Sequence, residues 1–238
     1  MHADTIRTYL VITPAKALND SVTQPADTTH HLIAAPHVRF FRSDLQGLCD
    51  SMTFVQRDSM MYLDYHPVIW NENKQIFGNT IQVHLRDSTA DWAKLPEFGF
   101  MAEWVDEEFY NQLTGKEMYA TFANGSIRHL DVSGNVQAIM LPQENDSTYN
   151  KIANIESSFL AADFKNQTIE RMMMWPETSG TMTPLYLAKK SLYYLPQFRW
   201  FEPLRPASPL DVFNISREML DLMQEPPFGT SRRKAAPK

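Results

Sequence analysis

Asp44-Leu45-Gln46-Gly47, Gln75-Ile76-Phe77-Gly78 and Gln112-Leu113-Thr114-Gly115 are three versions of one phrase: a carboxylate or amide, a branched aliphatic, a free position, then glycine. They recur at intervals of thirty-odd residues. Five and seven positions after each glycine the residues are apolar: Met52 and Phe54, Val83 and Leu85, Ala120 and Phe122. Repeats of this length are supersecondary units that cannot bury their apolar faces alone, so neighbours must stack. The chain therefore reads as an array, not as a globule built around one catalytic cleft.

A fourth, degenerate copy follows if Ser157 takes the glycine position. Leu160, Ala162 and Phe164 then match Ile81, Val83 and Leu85, and Met118, Ala120 and Phe122, while the first copy departs where Asp50 stands. The pattern between Leu32 and Trp175 is mostly of period two, which predicts strands and an all-β fold. Its clearest strand spans 130–140, with Leu130, Val132, Val136, Ala138 and Met140 on one face and Gly134 marking a bulge. Expected strand runs include 38–41, 48–54, 60–63, 67–70, 80–85, 98–102, 117–122, 158–164 and 170–174, with turns such as Asn71-Glu72-Asn73 and Asn124-Gly125 between them. Stacked in order, the stripes make a trough that grows by about 4.7–4.9 Å per strand.

The 238 residues, 43% hydrophobic and 21% charged, suffice for one large all-β unit with a real core. A formal charge of -6 argues against nucleic acid as a partner, since a phosphate backbone needs a basic face. A single cysteine, Cys49, excludes an internal disulfide framework and any multi-thiolate zinc site. No cofactor motif is evident.

Residues 1–30 read as the end of a preceding repeat, in which 3–12 form a strand with no lead-in, followed by a long loop from Thr13 to Thr29. A chain that opens inside a strand, with no basic-then-apolar leader, is expected to be a fragment of something longer. After Trp175 the prolines at 176, 184, 196, 203, 206 and 209 leave little room for regular elements, although 185–195 can hold a strand or short helix and 216–223 a helix. Residues 176–238 thus form a Pro-rich extension, with a disordered tail expected from Pro226 onward.

The segments Arg42-Ser43-Asp44-Leu45-Gln46-Gly47-Leu48-Cys49-Asp50-Ser51, Pro67-Val68-Ile69-Trp70 leading to Gln75-Ile76-Phe77-Gly78-Asn79-Thr80-Ile81, Tyr110-Asn111-Gln112-Leu113-Thr114-Gly115-Lys116, and Val132-Ser133-Gly134-Asn135-Val136 together resemble the OstA-like family. These are organic-solvent-tolerance proteins related to the periplasmic lipopolysaccharide-transport bridge and to the N-terminal domain of its outer-membrane partner. The resemblance covers roughly residues 31–175. It implies an open β-jelly-roll of stacked repeat strands whose trough holds acyl chains, without catalysis or cofactor. It also implies a periplasmic, outer-membrane-associated location, with lipopolysaccharide and other lipopolysaccharide-transport proteins as partners. Family members are exported, whereas no signal peptide is read at the start of this sequence, so either a missing upstream half or a lost export signal is expected.

On that reading Met52, Phe54, Ile81, Val83, Leu85, Met118, Ala120, Phe122, Val136, Ala138, Met140, Leu160, Ala162 and Phe164 line a lipid path. The competing account is a closed, dry sandwich core. Arg39, Arg42, Lys116, Arg128 and Arg171 could serve phosphorylated heads at the rim, or be solvated surface charge. A β-repeat scaffold or adhesin module is the alternative function, and unpaired edge strands would permit head-to-tail homo-oligomers. A glycan-active enzyme is weaker: Asp50, Asp131 and Asp163 lie on strands, but their spacing brings no two together. His30-His31 point to opposite faces, and His84 and His129 are isolated.

Overall fold

The computed structural model describes residues 1–13, 16–19, 22–24, 27–87, 89–143, 148–166 and 168–229. Numbered in chain order, its strands form one 17-stranded sheet and a separate two-stranded hairpin, β2 (Lys16–Asn19) with β3 (Val22–Gln24). All pairings are antiparallel, and they trace two ribbons. The first runs β1 (Thr5–Thr13), β4 (Asp27–Ala35), β7 (Ser51–Val55), β8 (Met60–Asp64), β11 (Thr80–Arg86), β12 (Thr89–Leu95) and β15 (Glu117–Ala123). It continues through the first half of β16 (Ser126–Met140), the second half of β17 (Lys151–Lys165) and β18 (Thr168–Trp175). The second ribbon runs β5 (Val38–Arg42), β6 (Leu45–Cys49), β9 (Val68–Asn71), β10 (Lys74–Gly78), β13 (Gly99–Asp106) and β14 (Phe109–Gly115), then the remaining halves of β16 and β17, and β19 (Ser179–Pro184).

The chain crosses between ribbons at a line of corners: residues 36–37, 50, 65–67, 79, 96–98, 116, 134–135 and 176–178. Left-handed backbone at His37, Tyr65, His66, Asn135 and Glu177 turns several of them, and Gly134, at φ 77°, begins the bulge that carries β16 round its corner. Each rung is thus a V whose arms belong to different ribbons, and the hairpin tips lie on the side away from the corners. This is an open β-jelly-roll of stacked strands, as the repeat and the family resemblance imply.

The corners explain the glycines. Gly78 and Gly115 are the last strand residues before a turn into the first ribbon, where the arms of the V converge. A Cβ on Gly78 would sit 2.5 Å from the Phe98 carbonyl, and one on Gly115 would overlap Val132 Cγ1. In the first copy the residue before the corner is Cys49, not Gly47, so that copy's frame lies two residues later than the phrase suggests. The structural repeat is Gln46-Gly47-Leu48-Cys49, Gln75-Ile76-Phe77-Gly78, Gln112-Leu113-Thr114-Gly115 and Asn154-Ile155-Glu156-Ser157. Asp50 ceases to be an anomaly: it is a corner residue, accepting a long hydrogen bond from the His37 N–H at 3.4 Å.

The reframed repeat also reveals what its amides do. Gln46 lies opposite Trp70, Trp70 opposite Gln75, and the line continues through Ala102, Gln112 and Ile139 to Asn154. An amide therefore stands on every second strand along the outer face of the second ribbon. All four reach the Pro-rich extension, which crosses this face as a strap. Asn154 Nδ2 donates to the Leu192 carbonyl (3.0 Å), and Gln112 donates to the Tyr193 carbonyl (2.7 Å) while accepting from the Leu195 N–H (2.8 Å). Gln75 donates to the Arg199 carbonyl (2.9 Å) and accepts from the Phe201 N–H (2.7 Å), and Gln46 accepts from Arg205 Nε (2.8 Å). On β5, Arg39 donates to the carbonyls of Leu204, Asp211 and Asn214.

Between these anchors the strap covers apolar surface. Leu48, Val68, Trp70, Phe77 and Phe100 pack with Phe201, Leu204, Met219, Leu222 and Phe228. Where a strand or helix was expected at 185–195, the chain makes 3-10 turns at Leu185–Leu187 and Lys190–Leu192. The helix expected at 216–223 is α1 (Arg217–Met223), capped by the Ser216 hydroxyl, which accepts from the Met219 N–H at 3.2 Å. The tail expected to be disordered is ordered as far as Gly229, with Phe228 buried; residues 230–238 lie outside the described residues. The expected loop after Thr13 is instead the β2–β3 hairpin and the start of β4, and the single run expected at 48–54 breaks at Asp50 into β6 and β7.

Candidate functional site

Three lines of side chains run along the inside of the first ribbon. Nearest the corners, Met52, Leu63, Ile81, Leu95, Met118, Val132 and Leu160 follow one another strand by strand. Midway along each arm come Leu32, Phe54, Met61, Val83, Ala93, Ala120, Leu130, Ala162 and Met172, each opposite the next. Towards the tips lie Leu85 opposite Ala90, Phe122 opposite Ile127, and Phe164 opposite Ile169. The second ribbon faces them with Val38, Cys49 and Val136 nearest the corners, then one line of Phe40, Ile69, Ile76, Met101, Leu113 and Ala138, and Met140 further out. One apolar interior draws on both ribbons and extends along the stack.

Its burial is graded. The corner line is shut, with Ile81 1% and Leu160 2% exposed, whereas Leu85, Ala90, Ile127, Met140 and Phe164 are half-buried. A sandwich closed on both sides would bury its middle and expose both margins alike; here burial on the first ribbon falls in one direction, from the corners to the tips.

Of the residues expected to line a lipid path, Met52, Ile81, Val83, Met118, Val136, Ala138, Leu160 and Ala162 are buried in this cluster, and Leu85, Ala120, Met140 and Phe164 pack half-buried against it. Phe54 lies in line between Leu32 and Met61, and Phe122 stands at the tips; both are half-buried outside the cluster. The sequence reading left out Leu32, Leu63, Leu95, Met172 and Met174, and most of the second ribbon's wall. Alternation in β8, β12 and β18 carried the signal, but no repeat phrase pointed to it. Cys49 belongs to that wall, and burial pushes its thiol up, leaving a poor nucleophile.

The proposed rim cations scatter. Arg39 is buried under the strap, where desolvation pulls its guanidinium below the ordinary value although Asp211 opposes this from 3.8 Å. Arg42 is paired with Asp44, Lys116 occupies a corner, and Arg171 lies opposite Asp163 on the outer face. Arg128 alone of the five is exposed near a tip of the first ribbon, beside the Asn124-Gly125 turn.

Sequence spacing brought no two of the candidate carboxylates together, and here the structure differs. His129 bonds Asp163 through Nδ1 at 2.6 Å and Asp131 through Nε2 at 3.1 Å, across adjacent strands. The trio lies on the open outer face of the first ribbon, away from the interior. Hydrogen bonding to Asp163, and then to Asp131, raises the imidazole above its ordinary value against the opposing effect of burial. A raised folded value means that the pair stabilises fully below about pH 6.5 and that this contribution is lost as pH rises through the folded value. The groups are a third or more exposed, so the effect is well under about 1 kcal/mol. Asp163→Asn should flatten this small decline of melting temperature with pH; an unchanged slope would refute the assignment.

Elsewhere, His31 stacks on Tyr9, and His84 stacks on Trp92 while bonding Asp91. Among the described residues no group of three or more His, Cys, Asp or Glu could hold a metal ion, and no helix is long and apolar enough to cross a membrane. Surface clefts run along the corners near Lys116, Asn135, Ser157 and Phe228, and beside the strap at Arg199.

No protein-family model and no curated protein matches the sequence. Among solved structures, LptH, the LptA-homologous periplasmic component of the lipopolysaccharide transport device of Pseudomonas aeruginosa, is similar at 10% identity with a TM-score of 0.44, over 59% of this chain and 95% of its own.

Proposed function

We propose that the chain is a non-catalytic lipid-binding protein that holds acyl chains in this trough, with lipopolysaccharide as its cargo, in the periplasm during outer-membrane assembly. The observation that supports the reading is the one-directional gradient of burial on the first ribbon, along an unbroken apolar stripe. A lipid needs that form: a greasy floor, an open side for entry and exit, and a polar exterior. The family resemblance of residues 31–175 supplies the cargo and the compartment. Each acyl methylene moved from water into such a trough is worth about 0.8 kcal/mol, so a lipid with several chains could be held without any directed polar contact.

A second reading has an observation of its own. Among the described residues the stack ends in unpaired edges, β1 on one side and β18 with β19 on the other. Ile6, Tyr9, Leu10 and Ile12 are exposed at the first, and Ile169, Met173, Trp175 and Met182 at the second. Such ends favour end-to-end pairing with another array, either a second copy or another lipopolysaccharide-transport protein. This would serve a scaffold or adhesin module equally well without lipid.

Delipidated full-length chain titrated with lipopolysaccharide, with bound lipid measured by mass spectrometry after gel filtration, separates the two. Saturable retention of lipopolysaccharide supports carriage. End-to-end association with no retained acyl lipid leaves the scaffold reading in its place.

A further inference from the structure

We propose that the basic segment Thr230-Ser231-Arg232-Arg233-Lys234-Ala235-Ala236-Pro237-Lys238 docks on its own chain, in the cleft along the corners, as a continuation of the strap. The inference does not depend on the lipid reading. It starts from a regularity in how amides hold the strap. Gln112 donates to the Tyr193 carbonyl and accepts from the N–H two residues on, at Leu195. Gln75 does the same with the Arg199 carbonyl and the Phe201 N–H. Asn79, at the corner between β10 and β11, makes the first half of such a clasp: its Nδ2 donates to the Phe228 carbonyl at 3.3 Å. Its Oδ1 is buried and, among the described residues, has no partner. A buried amide oxygen is costly to leave unpaired. Two residues on from Phe228 is Thr230, whose N–H completes the pattern.

From that clasp the cleft offers a path of the right length. Phe228 and Gly229 line one end of a space of about 770 Å³ that passes Lys116, Asn135 and Ser157 and reaches Glu177. Five strand pairings lead along it from β10 to β19, roughly 24 Å at about 4.7–4.9 Å each. Nine extended residues span roughly 30 Å, so the segment can follow the corners to the β19 end.

Charge selects the same path. The cleft carries Glu97, Glu156 and Glu177, all exposed, against one cation, Lys116. Glu156 accepts from Gln137 Nε2 at 2.9 Å, and among the described residues Glu97 and Glu177 have no ion-pair partner. The segment brings Arg232, Arg233, Lys234 and Lys238 and no acidic side chain. The other route from Gly229, beside the strap, meets Arg199, and the carboxylate there, Glu225, is already paired with it at 2.6 Å. Exposed ion pairs are individually weak, but the tether at Gly229 makes docking intramolecular, so weak contacts suffice.

The test is carbodiimide cross-linking of the dilute full-length chain, which joins a lysine amine directly to a carboxylate, read by peptide mass spectrometry on mixed isotopically heavy and light protein. Links from Lys234 or Lys238 to Glu97, Glu156 or Glu177 within one chain are expected. Trypsin should cut after Arg232, Arg233 and Lys234 about tenfold faster when Glu97→Gln, Glu156→Gln and Glu177→Gln are combined, the weight of several exposed ion pairs. All three positions are exposed, so the fold is kept. Amide exchange at Thr230 should be about tenfold slower in the wild type than in Asn79→Ala. Links from these lysines confined to other carboxylates, links found only between heavy and light chains, equal cleavage of wild type and triple variant, or equal exchange at Thr230 would each overturn the docking.

Discussion

Gly115→Val is expected to melt the array at least about 6–12 °C below the wild type, from a loss of more than about 3 kcal/mol. The cause is local and inflexible. Gly115 is the last residue of β14 before the turn at Lys116, and the space a Cβ would need holds Val132 Cγ1, with the Ser133 carbonyl 3.3 Å away. Val132 is 1% exposed and belongs to the corner line between Met118 and Leu160, so it cannot swing aside without opening the V along several rungs. Gly115→Ala should fall between wild type and valine. A valine variant that melts within about 2 °C of wild type would mean that the arms do not converge at the corner as described.

Gln75→Ala is the second large effect. The side chain is fully buried and satisfies two strap groups at once, the Arg199 carbonyl and the Phe201 N–H. Truncation strands both beneath Phe77, Phe100 and Phe201 where water does not replace it, at about 1–3 kcal/mol for each unsatisfied group. A total of about 2–5 kcal/mol is expected, with early proteolytic cleavage between Leu185 and Phe228 as the strap lifts. Gln46→Ala should cost less, because Arg205 keeps the Glu72 carbonyl and Glu202 as partners near the surface. Equal, small effects at both positions would show that the amide line does not hold the strap.

The all-β class and the inner stripe of the first ribbon were legible in the sequence because period-two alternation survives in β7, β11, β15, β16 and β17. The frame of the first repeat was not. Gly47 drew the alignment towards itself, although the equivalent corner residue is Cys49 and only cross-strand register distinguishes them. The strap was hidden for a different reason. Its turns follow no period, and its sequence reads as Pro-rich loop. The complementary signal lay in the second ribbon, where Val68-Ile69-Trp70 and Ile76-Phe77 run apolar without alternating, the mark of strands covered on both faces. The meeting of Asp131 and Asp163 on His129 depends on the pairing of β16 with β17, which spacing along one chain does not disclose.

A photoreactive residue placed in turn at each position from Ile81 to Arg86 on β11 asks whether one face of the ribbon, and that face alone, meets lipid. With lipopolysaccharide bound to the folded protein, cross-links are expected from positions 83 and 85, more weakly from 81 against the corner, and not from 82, 84 or 86 on the outer face. Equal yields on both faces, or none from 83 and 85 in a protein that retains its strands, would contradict a lipid-holding trough.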